Sequence, residues 1–119
     1  MKKLIYLFVI VVLLSGCASS SVMPWGIEKA RKNLMKLEIG MTKQEVITIM
    51  GEPYNREAYR LPDGGVLEFL IYLTQYTYSG VIPDSDTTPI CFENGKVTGW
   101  GRNFYVEKKK SYEIEIKNR

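Results

Sequence analysis

Leu37-Glu38-Ile39-Gly40-Met41-Thr42-Lys43-Gln44-Glu45-Val46, followed by Met50-Gly51 and Pro53, is the stretch on which the fold turns. Thr42 and Glu45 stand at capping-box spacing: the Thr hydroxyl accepts from the backbone N–H of Glu45 while the Glu carboxylate reaches back to the cap. The spacing predicts a helix from Lys43. Met41 before the cap and Val46 at the fourth helical position close a hydrophobic staple, and Val46, Ile49 and Met50 share one face, so one side of this helix is buried. Gly51 stands where a left-handed residue after the helix belongs, and Pro53 cannot continue it. The chain turns there and leaves extended.

Upstream, Ile27, Ala30, Leu34 and Leu37 recur at helical spacing, which predicts a first amphipathic helix over Gly26 to Leu37, with Glu28 four residues before Lys32 for a weak surface pair. Trp25 just before it suits the core, a membrane interface or a partner contact. Downstream, Tyr54 to Leu61 reads as a weak strand, and Leu61-Pro62-Asp63-Gly64-Gly65 as a turn in which Pro presets φ and Gly takes φ > 0. The strongest strand follows. Leu67, Phe69, Ile71 and Leu73 are expected to meet the helices, with Glu68, Leu70, Tyr72, Thr74, Tyr76 and Tyr78 on the other face.

Ser79 to Thr88 reads as an exposed loop; Asp84 and Asp86 lack the Gly and closing Glu of a calcium loop, so no metal is expected there. Asn94-Gly95 is a hairpin signal of type I′. A two-residue turn puts Glu93 opposite Lys96, Phe92 opposite Val97, Cys91 opposite Thr98 and Ile90 opposite Gly99. Ile90, Phe92 and Val97 then share the core face, and Trp100 falls on the other, between two glycines where a bulge or close backbone approach fits. The aromatic set Tyr72, Tyr76, Tyr78 and Trp100 is the candidate partner-binding face, unless the C-terminal segment with Phe104, Tyr105 and Tyr112 folds back to cover it. In that segment Phe104 to Val106 and Tyr112-x-Ile114-x-Ile116 suit a further hairpin around Lys108-Lys109-Lys110, a lysine run that either turns in solvent or touches anionic lipid.

The first residues are a separate object. Lys2 and Lys3 precede an apolar run from Leu4 to Leu14, whose eleven residues span only about 16 Å as a helix, too short for a bilayer and suited to a signal peptide. Leu14-Ser15-Gly16-Cys17 resembles the bacterial lipobox, which implies cleavage before Cys17 and a diacylglycerol, with acyl chains of the palmitate kind, on that residue. Each buried CH₂ of such chains contributes about 0.8 kcal/mol, and several chains hold a protein stably. Ala18, where many inner-membrane lipoproteins of Gram-negative bacteria carry Asp, implies by the same resemblance the periplasmic face of the outer membrane. Ala18 to Pro24, small and polar, suits a tether reaching about 25 Å when extended.

Leu37-x-x-Gly40-Met41-Thr42-x-x-Glu45-Val46, with Gly51-x-Pro53, the aromatic strand Phe69 to Tyr72 and Ile90-Cys91-Phe92-Glu93-Asn94-Gly95-Lys96-Val97, is similar to the signature of the SmpA/OmlA (BamE-like) lipoproteins. The resemblance runs from Leu34 to Gly101. It implies a two-helix, antiparallel-sheet domain that is tethered to a membrane and acts by binding, on a partner that would be the β-barrel assembly machinery. Domains of this shape also resemble the repeated unit of secreted β-lactamase inhibitor proteins. The expected fold class is therefore α+β, two N-terminal helices packed on one face of a three- to four-stranded antiparallel sheet. The expected organisation is a leader at 1–16, lipidated cysteine and tether at 17–24, the domain at 25–106, and a basic segment at 107–119 forming an extra strand or tail.

Composition bears on what the domain does. Of the 119 residues, removing the leader leaves 103, and removing Lys2 and Lys3 with it leaves fourteen basic against thirteen acidic side chains, so the near-neutral mature chain gives no support for nucleic-acid binding. If Cys17 is lipidated, Cys91 has no partner within the chain, and it is either a buried thiol or the source of an intermolecular bridge. There is no histidine, which removes His-based general bases, triads and zinc sites, and no Walker loop, dinucleotide fingerprint or paired-cysteine pattern appears. The expectation is a non-catalytic, protein-binding envelope lipoprotein without cofactor beyond its lipid. The alternative is an inhibitor-like or sensor lipoprotein that binds a soluble envelope protein or ligand.

Overall fold

The computed structural model describes residues 24–76 and 80–118, without the side chains of residues 24 and 25. The leader, the lipobox with Cys17, the tether up to residue 23, the Trp25 side chain and Tyr78 lie outside the described residues. Helices α1 (Pro24–Leu34) and α2 (Lys43–Met50) precede four strands, β1 (Asn55–Arg60), β2 (Val66–Leu73), β3 (Thr87–Glu93) and β4 (Lys96–Trp100), and helix α3 (Arg102–Lys117) follows them. The strands form one antiparallel sheet in sequence order. The class is α+β, as expected.

The capping box is complete. The Glu45 N–H donates to Thr42 Oγ1 at 3.2 Å and the Thr42 N–H to Glu45 Oε2 at 2.9 Å. The helix closes on the Gly51 N–H, which reaches the Ile47 carbonyl at 2.7 Å. Gly51 has the expected positive φ, 78°, but its ψ of −165° lies outside the left-handed helical region, in an extended positive-φ region nearly confined to glycine. That geometry turns the chain directly into β1. Gly51→Val is expected to cost about 1–3 kcal/mol, from backbone strain alone, since no atom lies within 4 Å of the missing Cβ. Denaturant midpoints check this, and Gly51→Ala should lose stability as well; midpoints left where they were would contradict it.

The stretch before α2 does more than enter a helix. The Gly40 N–H donates to the Val97 carbonyl and the Val97 N–H to the Met41 carbonyl, both at 2.8 Å, and the Lys43 N–H donates to the Gly95 carbonyl at 3.1 Å. Gly40 to Lys43 thus lies along the outer edge of β4, where unpaired backbone groups would otherwise face solvent.

Both faces of the sheet are covered. One carries Leu70, Tyr72, Ile90, Phe92 and Val97 against Leu37 and Val46, with Leu34, Met41, Ile47, Ile49, Met50 and Trp100 at its margin. The other carries Leu67, Phe69, Ile71 and Cys91 against Tyr59, Leu61, Phe104, Tyr105 and Tyr112. This corrects the expected facing of β2. Directly opposed residues share a face, and Leu70 opposes Ile90 whereas Phe69 opposes Cys91, so it is Leu70 and Tyr72 that join Ile90, Phe92 and Val97 under the N-terminal helices.

Two further expectations are corrected. Asn94 and Gly95 have φ of 50° and 81°, as a type I′ turn requires, and Glu93–Lys96 and Phe92–Val97 pair as expected. A bulge then takes up Thr98: Cys91 opposes Gly99 and Ile90 opposes Trp100, which moves Trp100 onto the face of Ile90. At Gly99 a Cβ would stand 2.6 Å from the Phe104 ring, the close approach that lets α3 start flat against the sheet. Of residues 107–119, expected as an extra strand or tail, 107–117 belong with Phe104 to one helix that runs to Lys117. Phe104, Tyr105, Lys108, Lys109 and Tyr112 recur at helical spacing and form its inner side. The alternating Ile114 and Ile116 stay exposed.

Candidate functional site

The aromatic face expected to bind a partner is not presented as a surface. Tyr72 is 3% exposed and donates its hydroxyl to the Gly51 carbonyl at 2.8 Å, so it pins the end of α2 to the sheet. Trp100 is half-buried against the same core. Tyr76 is exposed past the end of β2, and Tyr78 lies outside the described residues. The expected covering by the C-terminal segment does occur, but on the opposite face. The motif residues Gly40, Met41, Thr42, Glu45, Gly51, Pro53, Asn94 and Gly95 serve the turns, cap and edge pairing described above.

Two polar clusters flank the sheet. Tyr59 and Tyr105 both donate their hydroxyls to Glu57, at 3.0 and 2.8 Å, and Lys109 donates to the Tyr105 oxygen at 3.2 Å while its Nζ sits 5.2 and 5.6 Å from the Tyr105 and Tyr59 ring centres. Burial first, and the hydrogen bond to Glu57 second, raise both phenols above the ordinary 10. The bond to Tyr105 is the main cause that holds Lys109 above the usual lysine range. The tyrosines stay neutral and the lysine charged, which makes a clamp between α3 and β1. On the other face Glu68, 7% exposed, binds Arg56 Nε at 2.7 Å and Lys43 Nζ at 3.0 Å, and so ties the first residue of α2 to β1 and β2. No group of three or more metal-binding side chains occurs among the described residues.

These phenols make stability fall in alkali. Burial, with the Glu52 carboxylate a lesser contributor, pushes Tyr72 up to about 12. The folded chain therefore holds this proton more tightly than the unfolded one. The resulting stabilisation is fully present below pH 10 and is lost as the pH rises from there through about 12, with Tyr59 and Tyr105 adding in the same direction. The expected outcome is a denaturant midpoint that is level near neutrality and declines above pH 10 together with the rise of tyrosinate absorbance. In Tyr72→Phe the decline should be shallower.

A concave surface lies elsewhere, on the motif itself. Glu38, Ile39, Gly40 and Met41 form one bank of an open groove of about 590 Å³, and Gln44, Glu45, Thr48 and Ile49 on the outer side of α2 form the other. Pairing of Gly40 and Met41 with β4 fixes the first bank, and with neighbouring Leu37 buried, Ile39 is left 66% exposed. Met35, in the turn before it, is 86% exposed. An apolar floor between the carboxylates of Glu38 and Glu45 suits an apolar side chain or helix of a partner, with a basic group at its edge. Sequence reasoning missed this groove. The available signal was Ile39, an apolar residue used by neither helix face nor the staple.

Residues 9–107 match a family model described as "Protein of unknown function (DUF3192)". No curated protein and no solved structure matches the chain. The matched segment takes in the second half of the apolar run from Leu4 to Leu14, Cys17, α1, α2, the whole sheet and the start of α3.

Proposed function

The chain belongs to the DUF3192 family, and on that premise we propose that it is an envelope lipoprotein, anchored through Cys17 and working as a non-catalytic protein-binding module. The lipobox and the charged, short apolar leader support the anchor, and the family match runs continuously from that leader into the domain. The observation that carries the binding role is the groove between Glu38–Met41 and α2, apolar, open and flanked by exposed Ile39. The clustered ionisable groups are engaged in clamps between elements, which supports binding over catalysis. By resemblance to the SmpA/OmlA lipoproteins the partner is a subunit of the β-barrel assembly machinery and the address is the periplasmic face of the outer membrane.

A photo-crosslinking residue in place of Ile39 tests the groove in intact cells. Capture of a barrel-assembly subunit supports the reading, capture of a soluble envelope protein favours an inhibitor-like or sensor role, and absence of any adduct from this position removes the groove as the site. The anchor has its own expected outcome. Cys17→Ser should abolish fatty-acid labelling and leave the chain as an uncleaved precursor; equal label in both forms would refute it.

A further inference from the structure

We infer that the outer side of α1 is a lipid-facing surface, which holds the domain against anionic headgroups of the membrane that carries its anchor. This rests on the anchor reading above. Lys29, Lys32 and Lys36 follow one another at spacings of three and four along α1 and the turn that continues it, and all three are exposed. No hydrogen bond or ion pair engages their ammonium groups among the described residues. The expected pair between Glu28 and Lys32 does not form.

Contrast with the other lysine cluster makes the point. Of Lys108, Lys109 and Lys110, the first is paired with Glu93 at 2.5 Å and the second sits in the Glu57 clamp, so two of the three are absorbed by the fold and only Lys110 points outward. The α1 lysines are left over. Their direction is fixed, because Ile27 on the far side of the helix is buried, Asn33 at the flank of the lysines is buried and donates Nδ2 to the Ile49 carbonyl at 2.8 Å, and Arg31 Nε donates to the Thr74 carbonyl at 2.5 Å. The helix cannot roll to bring them in.

Charge and chain length select the occupant. Gly26 to Leu37 carries four basic and one acidic side chain, whereas the rest of the chain from Cys17 onward carries ten basic and twelve acidic. The positive charge is thus concentrated on the element that the tether enters. Cys17 to the start of α1 spans at most about 25 Å, so a lipid on Cys17 keeps this face within reach of the bilayer at all times. An anionic surface attracts basic segments within a Debye length, and one anchor plus a basic patch is a combination that stabilises surface binding.

The test uses the full lipidated chain in vesicles of phosphatidylcholine alone or mixed with phosphatidylglycerol, with amine-reactive labelling read residue by residue. Labelling of Lys29, Lys32 and Lys36 should fall about threefold or more in the anionic vesicles relative to the exposed Lys96 and Lys117, and high salt should restore it. Equal labelling in both lipids, or equal protection in both, overturns the inference. Flotation with pure phosphatidylcholine separates the two readings: floating protein with unprotected lysines keeps the anchor and sinks the lipid-facing surface. A chain that fails to float on the neutral lipid loses the anchor reading, and its labelling on the anionic vesicles still decides the surface.

Discussion

Tyr72→Ala is expected to lower stability by about 3–5 kcal/mol, the range of a large buried aromatic truncation, which is a large part of the roughly 5–15 kcal/mol that holds a domain of this size. The ring stands in the core between β2 and the N-terminal helices and is almost fully buried. Its loss leaves a cavity beside Met50 and Leu73, and the Gly51 carbonyl loses its donor. Tyr72→Phe separates the two contributions. It keeps the packing and removes only the hydroxyl, so about 1–3 kcal/mol is expected for the carbonyl left without its partner. Thermal and denaturant unfolding measure both. A Tyr72→Ala variant with an unaltered melting temperature would restore this residue to the surface and contradict the register of β2 and β3.

Phe69→Ala acts on the opposite face, with a similar cost of about 3–5 kcal/mol and a different distribution. The Phe69 ring meets Tyr105 edge-on at 4.7 Å and Tyr59 at 6.4 Å, and it sits at the centre of what α3 packs against. None of the residues of α3 is fully buried, so the helix is held by half-buried rings and by the Glu57 and Glu93 contacts. Removing the central ring should therefore free α3 before the sheet opens. Hydrogen exchange is the discriminating measurement: amides of α3 should exchange far faster in the variant while β3 keeps its protection. If both accelerate equally, the helix and the sheet are one cooperative unit and this reading of α3 is wrong.

Local chemistry carried α2 and the turn between β3 and β4 in the sequence. Thr42 and Glu45 are a paired signal, and Asn94-Gly95 is another, because each specifies a backbone conformation through its own hydrogen bonds or φ. β2 defeated the same reasoning for a physical reason. Val66-Leu67-Glu68-Phe69-Leu70-Ile71-Tyr72-Leu73 is apolar on both sides, so alternation cannot say which side meets which helix. The bulge at Thr98 then put Trp100 on the side of Ile90, and the face expected to dock a partner is the one that the N-terminal helices cover. In α3 the three-residue alternation of Tyr112, Ile114 and Ile116 outweighed the longer helical recurrence of Phe104, Tyr105, Lys108, Lys109 and Tyr112. The groove went unread because it depends on the pairing of Gly40 and Met41 with Val97, a contact between distant parts of the chain.

That pairing also imposes an order of events. Met41 meets Val97 across 56 positions, so a ribosome or a translocation channel that delivers the chain from its N-terminus presents the capped helix long before its edge partner exists. At roughly 5–20 residues per second the wait is several seconds, during which an eight-residue helix has too few turns to persist alone. The β3–β4 hairpin, closed by its own two-residue turn, needs no distant partner and can form first. The N-terminal stretch can pair with that edge only after Val97 has been delivered, so the groove is complete only when most of the chain is out. Under the binding role proposed above, a partner that reads the groove would have nothing to recognise until that moment, which would time its recruitment to completion of the domain.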